Sequence, residues 1–283
     1  MTTGCVTVGV DGSLAATWAL DRAAEEAERR GTALRILYAV PDRDEAGPIL
    51  ASAAARVRAR RPGVPVVASA VEGGAAHALL REGQDADLTV VGTRGFGGLT
   101  GRLFGSVSLR LAARTRSPLL VVRGDQPSRE FGTVLLGIES DADADAAAYA
   151  FAEAERRGAR LNVLHAWTRR HVTPELPSLV PATSPGQQED ARRTWSEEAV
   201  PRFTLAELEE RYPQVGVETR TVRTGPAQAL LEATCEADVV VIAAHRSPDR
   251  HGVHLGPVTH TLLHHSHCPV LIVPAGRNNG QRA

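Results

Sequence analysis

The amino-acid sequence contains one pattern twice, and this internal duplication constrains the fold more than any other feature. Residues 152–158 repeat residues 25–31 almost letter for letter. The repeat extends to the last apolar segment of each half, since residues 269–273 match residues 118–122. A chain of 283 residues can form two cores of about 140 residues each. The sequence therefore predicts two similar domains in tandem.

Within each half, short runs of Val, Ile and Leu alternate with stretches of helical periodicity. Strands that alternate with helices form a parallel sheet covered by helices on both faces. We therefore expect an α/β fold with two domains, residues 1–126 and 127–283, and a linker at residues 124–130. The second half carries 23 extra residues, which we place in a proline-rich loop at 168–190.

A glycine-rich loop follows the fourth strand-like run of the first half. Its six glycines are residues 92, 95, 97, 98, 101 and 105. Ser106 then suits the N-cap of an amphipathic helix. Glycine lets a backbone approach a ligand, and a helix N-terminus directs unpaired N–H groups and a positive dipole end towards it. The stretch predicts an anion site, most naturally for phosphate, with a flexible loop before a capped helix as the structural alternative.

Two common phosphate-binding loops are excluded by the residues present. A P-loop needs a lysine after its last glycine, but this chain contains no lysine, and all 32 of its basic residues are arginines. The dinucleotide-binding fingerprint needs Gly-x-Gly-x-x-Gly in the first strand-to-helix turn. The first turn, at residues 9–13, lacks that spacing, and the later loop has Thr100 at the place of the third glycine.

The spacing of Gly92, Gly95, Gly105 and Ser106 is Gly-x2-Gly-x9-Gly-Ser, which resembles the ATP-binding motif of the universal stress protein family. The resemblance covers nearly the whole chain. It implies two adenine-nucleotide α-hydrolase-like domains, each a five-stranded parallel sheet in the order 3-2-1-4-5 with helices on both faces. It also implies that ATP binds where the first and fourth strands diverge, the point where open α/β sheets usually hold ligands.

The resemblance further implies which residues contact ATP, with or without Mg²⁺. Asp11 and the backbone of Ala39 would face adenine and ribose, and Arg94 would add a charge-assisted contact to the phosphates. A competing interpretation of Asp11 is a turn residue that caps the first helix. The predicted ATP-binding residues are Gly9, Val10, Asp11, Ser13, Ala39, Gly92, Arg94, Gly95, Gly105, Ser106, Val107 and Ser108.

The second half keeps the spacing of the motif but loses its residues. In place of Asp11, Gly92, Gly95 and Ser106 it has, in order, Glu139, Ala243, Arg246 and Pro257. Arg246 adds bulk where the backbone would meet phosphate. Pro257 lacks both the hydroxyl and the N–H donor, although proline is well tolerated in a first helical turn. We therefore expect one ATP per chain rather than two.

Seven of the ten histidines lie within residues 245–267. Imidazoles in such a group can bind a transition metal or respond to pH near neutrality, and His260 and His264 would share one helix face as zinc ligands do. The helix has no Glu or Cys at ligand spacing, and the family has similar stretches without a metal role. We therefore predict no metal site, and the role of the histidines stays open.

Composition excludes several classes of protein. The net charge of −1 gives no reason to expect nucleic acid or membrane as a partner. No apolar run approaches the roughly 20 residues of a membrane span, and the N-terminus lacks a signal-peptide pattern. Three widely spaced cysteines without a Cys-x-x-Cys pair suit a reduced, cytoplasmic protein with buried thiols.

No nucleophile–base pair or carboxylate cluster accompanies the motif, so we expect at most slow ATP hydrolysis. The resemblance implies a nucleotide-dependent regulator in stress response or dormancy. Two alternatives remain: an adenylating or nucleotidyl-transfer enzyme of the same fold group, and a ligand-free interaction scaffold. The last apolar strand of each half, residues 119–122 and 270–273, would leave a bare sheet edge. We expect these strands to pair within the chain, and the whole chain to form a homodimer.

Overall fold

The computed structural model shows two α/β halves that share one sheet. It describes residues 4–40, 46–93, 105–124, 130–168, 205–245 and 255–275. The predicted linker and the predicted proline-rich loop fall almost entirely outside these ranges. The domain boundary at residues 126 and 127 therefore stays a prediction.

Ten strands are described. They are β1 (Cys5–Gly9), β2 (Ala33–Val40), β3 (Val66–Glu72), β4 (Leu88–Gly92), β5 (Leu119–Val122), β6 (Thr133–Ile138), β7 (Arg160–Ala166), β8 (Val217–Val222), β9 (Val239–Ala244) and β10 (Val270–Pro274). The central strands β1, β4, β6 and β9 consist almost entirely of apolar residues because both of their faces are covered.

Helices lie between the strands. They are α1 (Leu14–Arg30), α2 (Gly47–Arg60), α3 (Ala75–Glu82), α4 (Ser106–Arg114), α5 (Ala144–Arg157), α6 (described over 205–211), α7 (Pro226–Ala233) and α8 (Pro257–His265). A short 3-10 turn, Asp141–Asp143, precedes α5.

The duplication is visible in how α1 and α5 end. Each helix stops at a glycine in the left-handed region, with φ of 60° at Gly31 and 59° at Gly158. The glycine N–H returns to carbonyls of the last turn, to Ala27 in α1 and to Ala154 in α5. Two arginines precede the glycine in each helix, and their positive charge interacts favourably with the negative end of the helix dipole.

The sheet has the strand order β3-β2-β1-β4-β5-β10-β9-β6-β7-β8. Within each half the strands are parallel, and the order 3-2-1-4-5 expected from the family resemblance is confirmed in both halves. The halves meet where β5 and β10 pair antiparallel, with Leu120 opposite Leu271. The two five-stranded sheets thus form a single ten-stranded one, through the strands whose pairing the sequence suggested.

Helices cover both faces of this sheet and enclose two cores. One core joins α1, α2, α5 and α6 to the sheet and contains the fully buried Phe151. The other joins α3, α4, α7 and α8 to the opposite face and contains Leu262. Each core includes residues of both halves. Because β5 and β10 are antiparallel, the carboxyl ends of the strands point to one edge of the sheet in the first half and to the other edge in the second.

Candidate functional site

The predicted site lies at the carboxyl edge of the first half, where β1 has β2 on one side and β4 on the other. Gly9 ends β1, Gly92 ends β4, and Ala39 is the second-last residue of β2. Parallel strands end at the same edge, so the structure brings these three residues to one region. The helices that leave this edge, α1 and α4, begin there with their N-termini.

The turn from β1 into α1 is held by two side chains. The N–H of Ser13 donates to Oδ1 of Asp11 at 3.0 Å, and the N–H of Ala16 donates to Oγ of Ser13 at 3.2 Å. Ser13 is thus the N-cap of α1. Before the turn, the N–H of the buried Val10 donates to the carbonyl of Leu37 at 2.9 Å. Asp11 therefore has the turn-forming role that competed with nucleotide binding, while its side chain stays only half-buried at the edge.

Gly92 lies where β4 meets the first turn of α1. A Cβ there would lie 2.6 Å from the carbonyl oxygen of Ala15, so the close approach requires glycine. The hydroxyl of Ser108, which is buried, donates to the carbonyl of Gly92 at 2.7 Å. Ser108 thus fixes the first turn of α4 against the end of β4, and its hydroxyl already has a partner.

The residues on either side of the glycine-rich loop, Thr93 and Gly105, are in contact. The N–H of Gly105 donates to the carbonyl of Thr93 at 2.7 Å, and a Cβ at Gly105 would lie 2.8 Å from that oxygen. Arg94 and Gly95 lie outside the described residues, as does the rest of the loop up to residue 104. The predicted site residues did not include Thr93, the buried residue whose carbonyl accepts this hydrogen bond. Its position directly before the loop was the signal in the sequence that could have identified it.

Helix α4 starts one residue earlier than predicted. Gly105, not Ser106, is the N-cap, with an extended backbone at φ −62° and ψ 132° and no side-chain cap. The expectation that Ser106 caps the helix is therefore wrong: Ser106 is the first helical residue, and its side chain is exposed. With Gly105 as the N-cap, no side chain caps the helix. The N–H groups of a first helical turn have no partner within the helix, so those of Ser106, Val107 and Ser108 favour an anion.

The floor of this region is apolar. Ala39 and Val107 are partly buried and pack against a cluster that includes Leu37, Val71 and Val91. An apolar surface next to a helix N-terminus suits a ligand with a flat apolar part and an anionic part.

The corresponding edge of the second half is closed by the chain's own groups. Oδ2 of the buried Asp143 accepts from the N–H of Glu139 at 2.6 Å and of Ser140 at 3.1 Å. Nε2 of His245 lies 2.7 Å from Oδ1 of the same carboxylate. An internal carboxylate and an imidazole thus occupy the turn that precedes α5. Arg246 lies outside the described residues.

The two partners change each other's protonation. Burial by itself would raise the pKa of Asp143, but the hydrogen bonds from His245 and from two backbone N–H groups outweigh it and lower that pKa below its usual value. The hydrogen bond to Asp143 raises the pKa of His245 above its usual value. Both shifts favour a carboxylate paired with an imidazolium.

The start of α8 confirms the loss of a donor. Pro257 is its first helical residue after Gly256, so the position equivalent to Ser106 has no N–H.

Farther along α8 the rings of His260 and His264 lie 4.4 Å apart. The described residues contain no group of three or more potential metal ligands. The expected burial of the thiols is correct for Cys268, only partly so for Cys5, and wrong for Cys235, which is exposed.

Comparison with known proteins identifies two matching segments. A model of the universal stress protein family matches residues 5–123 and 130–274. Universal stress protein Rv2623 of Mycobacterium tuberculosis is 32% identical over 292 residues, which cover 94% of this chain and 95% of that protein. Universal stress protein Rv2005c of the same organism is 32% identical over 192 residues, and there the match spans only 62% of the relative's length.

The fold has a counterpart among solved structures. The crystal structure of a universal stress protein from Archaeoglobus fulgidus superposes with a TM-score of 0.69 and covers 98% of this chain and 100% of its own. Its identity of 15% limits the likeness to the fold. No helix within the described ranges has the length and apolar character needed to cross a membrane.

Proposed function

Since this chain belongs to the universal stress protein family, we propose that its first half binds ATP and that the protein acts as a nucleotide-dependent regulator in stress response or dormancy. The supporting observation is the arrangement of β4, the loop and α4. The bond from Gly105 to Thr93 closes the loop at the end of β4 and directs the N-terminus of α4 to the edge between β1 and β4. A helix N-terminus in this position favours phosphate.

In the proposed complex, Gly92, Gly105 and the first N–H groups of α4 face the phosphates, together with Gly95 and Arg94 of the loop. The apolar floor at Ala39 and Val107 lies next to the adenine. Asp11, whose Oδ1 accepts from the N–H of Ser13, approaches the ribose. The second half lacks an N–H at Pro257, and its turn holds the carboxylate of Asp143. That carboxylate already satisfies the N–H groups of the turn, so the proposal is for one ATP per chain.

We expect calorimetric titration with ATP to give close to one site per chain. Ser106→Pro should weaken ATP binding at least about tenfold, roughly 1.4 kcal/mol, because it removes the first N–H of α4 while proline is tolerated at that helical position. Ser106→Ala keeps the N–H and should lose less affinity.

The matched control is Ala75→Pro. It places a proline at the first position of α3, as Pro226 already does in α7 of the second half, and should leave ATP binding unchanged. Two equivalent sites per chain, or equal affinity in Ser106→Pro and wild-type protein, would contradict the proposal.

The described residues of the site include no nucleophile with an adjacent base, so the proposal includes at most slow hydrolysis of ATP. Turnover near or above about one per second, an ordinary enzyme rate, would favour the adenylating or nucleotidyl-transfer enzyme instead. Absence of any nucleotide binding would favour the ligand-free scaffold. We also propose that the protein is cytoplasmic and a homodimer, that Mg²⁺ accompanies ATP as an option, and that neither nucleic acid nor membrane is a partner.

A further inference from the structure

A cleft of about 780 Å³ lies where the two halves meet, apart from the proposed ATP site. Its walls come from α1, from the end of β5, and from the segments that lead into β6, β9 and β10. None of the predicted ATP-binding residues that the structure describes lines it. The cleft therefore needs an explanation of its own.

Positive side chains outnumber negative ones on the wall, five to four. The arginines that line the cleft are Arg22, Arg29, Arg60, Arg123 and Arg157. Four acids also line it. Asp21 pairs with Arg60 of the wall at 3.2 Å and with Arg56 at 2.7 Å, and Asp238 accepts from the N–H groups of Phe131 at 2.7 Å and Thr133 at 2.9 Å. Glu25 and Glu130 are the other two acids, and Glu25 belongs to a cluster of ion pairs that borders the cleft.

That cluster, formed between α1 and α5, contains more positive than negative charge. Five arginines (Arg22, Arg29, Arg30, Arg156 and Arg157) share three glutamates (Glu25, Glu26 and Glu153). Five positive and three negative charges leave an excess of two positive charges, and Arg61, which contacts Glu25 and Glu28, extends the cluster by one charge of each sign. Buried charge without a partner is costly, so the cluster favours an additional anion.

Arg22 is the least satisfied member of the cluster. Its Nη1 lies 3.3 Å from Oε2 of Glu25, but its Nε and Nη2 are buried without a hydrogen-bond partner among the described residues. Nε also lies 3.4 Å from Oε1 of Glu26, outside hydrogen-bond geometry. Nε and Nη2 form one edge of the guanidinium, the edge that can hold two oxygens of a carboxylate or phosphate at once.

The protonation of Arg22 agrees with this geometry. Burial lowers its pKa, and the positive charge of Arg157 lowers it further. The surroundings therefore lack the negative charge that a buried guanidinium needs.

The second half has no arginine at the position equivalent to Arg22. The equivalent residue in α5 is Tyr149, whose hydroxyl accepts from Nη2 of Arg30 at 3.1 Å. Tyr149 thus serves the cluster as a neutral partner, whereas Arg22 adds a charge that the cluster does not neutralise. Trp18 on the cleft wall is likewise replaced, by Asp145 in α5. Two residues of the wall, Arg22 and Trp18, thus have no counterpart in the second half.

Apolar side chains complete the wall. Trp18, Val122, Phe131 and Pro269 line the cleft together with the arginines. The wall thus offers charged and apolar surface side by side, which suits a small organic ligand with an anionic group. Inorganic ions alone would leave this surface unused.

We propose that this cleft binds a small organic anion, whose phosphate or carboxylate pairs with Arg22 and Arg29 and whose apolar body packs against Trp18 and Phe131. The site is independent of the proposed ATP site and goes beyond it. Because Nε and Nη2 of Arg22 are buried, binding requires this side chain to turn towards the cleft, and the bound oxyanion then neutralises part of the excess charge.

The test is calorimetric titration of the full-length protein with phenyl phosphate and with benzoate, each an oxyanion on an aromatic ring. We expect binding of at least one of the two probes together with a rise in Tm, and the tighter probe identifies the preferred anionic group. Phenol, which is neutral, and inorganic phosphate, which has no apolar body, should bind at least tenfold more weakly. Equal binding of phenol would overturn the proposal.

Variants then locate the site. Arg22→Gln should weaken the bound probe at least tenfold and abolish its effect on Tm. Arg29→Gln should do the same, and it tests the proposal if Arg22→Gln does not fold. Arg220→Gln, an exposed arginine on the edge strand β8, is the matched control and should bind as wild type does.

Ser106→Pro separates this site from the ATP site. It should leave phenyl phosphate binding unchanged, even where it abolishes ATP binding. Loss of phenyl phosphate binding in Ser106→Pro would show that the anion enters the ATP site and would overturn the proposal. A wild-type protein that binds neither probe, or folded Arg22→Gln and Arg29→Gln variants that bind as wild type does, would also overturn it.

Discussion

The carboxylate of Asp143 distinguishes the second half from the first at the scale of a single residue. It accepts from the N–H groups of Glu139 and Ser140 and lies against His245, in a turn where the first half has the cap Ser13. Its helix position corresponds to Ala16. An anion of the chain itself thus occupies the strand-to-helix turn, and no ligand is needed to satisfy those donors.

The sequence could not show this arrangement. The offset between the halves is 128 from Asp11 to Glu139 and 127 from Gly31 to Gly158. One residue is therefore missing between β6 and α5, and the shorter turn brings Asp143 under the end of β6. The glycine spacing on which the proposed ATP site rests is local, so it could be recognised in the sequence. The contact of His245 with Asp143 was not, because 102 residues separate its partners.

The pair predicts a defined pH dependence. The raised pKa of His245 means that its contribution to stability is fully present below the unfolded pKa near 6.5 and is lost as pH rises through the folded value. The lowered pKa of Asp143 means that its contribution is present above the unfolded value near 3.8 and is lost as pH falls through the folded one. Wild-type protein should therefore exceed Asp143→Asn in stability most clearly between about pH 4 and pH 6.5.

Two measurements check this prediction. NMR titration of His245 should show a pKa that is raised in wild-type protein and returns towards its ordinary value in Asp143→Asn. Denaturant unfolding at several pH values should show the stability difference shrinking above neutral pH. Asp141→Asn is the control, because Asp141 is exposed on the same 3-10 turn. An unshifted His245 in wild-type protein would refute the pairing.

At the scale of elements, α1 and α5 are held together by buried charge rather than by apolar packing alone. Nη2 of Arg30 in α1 lies 2.8 Å from Oε2 of Glu153 in α5, and Arg157 of α5 contacts Glu26 of α1. Both glutamates are buried. Each half thus donates an arginine to the glutamate of the other, so the duplicated sequence Glu-Ala-Glu-Arg-Arg-Gly forms a reciprocal contact.

The sequence showed this repeat but not its purpose. On a helix, Glu26 and Arg30 look like an ordinary exposed pair four residues apart. Only the antiparallel pairing of β5 with β10 brings the two copies face to face and buries them. The elements themselves were predictable from periodicity and from capping residues such as Ser13 and Gly31. Their meeting depends on contacts between distant parts of the chain.

Glu153→Gln should destabilise the protein by about 3–5 kcal/mol, the cost of leaving buried charges without a partner. Burial by itself would raise the pKa of Glu153, but the charges of Arg157, Arg30 and Arg156 outweigh it and hold the pKa below its usual value. The contribution is therefore present above the unfolded pKa near 4.5 and is lost as the pH falls below it.

Denaturant unfolding at neutral pH measures this effect. The control is Glu155→Gln, an exposed position two residues away on the same helix, which should change stability by less than about 0.5 kcal/mol. Similar losses in the two variants would mean that the cluster does not hold the halves together.

At the scale of the whole molecule, the two halves share one sheet and both cores. The ten-stranded sheet passes through both, and each core on its two faces contains residues of both. Strand β5 is an inner strand of this sheet only because β10 covers it. All four residues of β5 are buried and apolar.

The first half expressed alone, as residues 1–126, should therefore self-associate. An exposed apolar edge invites pairing with another chain, and antiparallel pairing of β5 with its own copy would replace the contact with β10. Sedimentation equilibrium should show a fragment that is dimeric or larger, and denaturant unfolding should show lower stability than that of the whole chain. A monomeric fragment as stable as the whole chain would mean that the second half is not needed to cover this edge.

The antiparallel seam between β5 and β10 also gives the molecule two ends. Because the strands reverse direction at the seam, the loops that follow them emerge at one end in the first half and at the opposite end in the second. Strands of this length separate the ends by roughly 17–20 Å. A substitution at one end therefore does not touch the other, so one copy of a duplicated pocket can change while its twin keeps its chemistry. The duplication has in this way produced a molecule whose two ends differ: the first turn of α4 lies at one end, and the pair of Asp143 and His245 lies at the other.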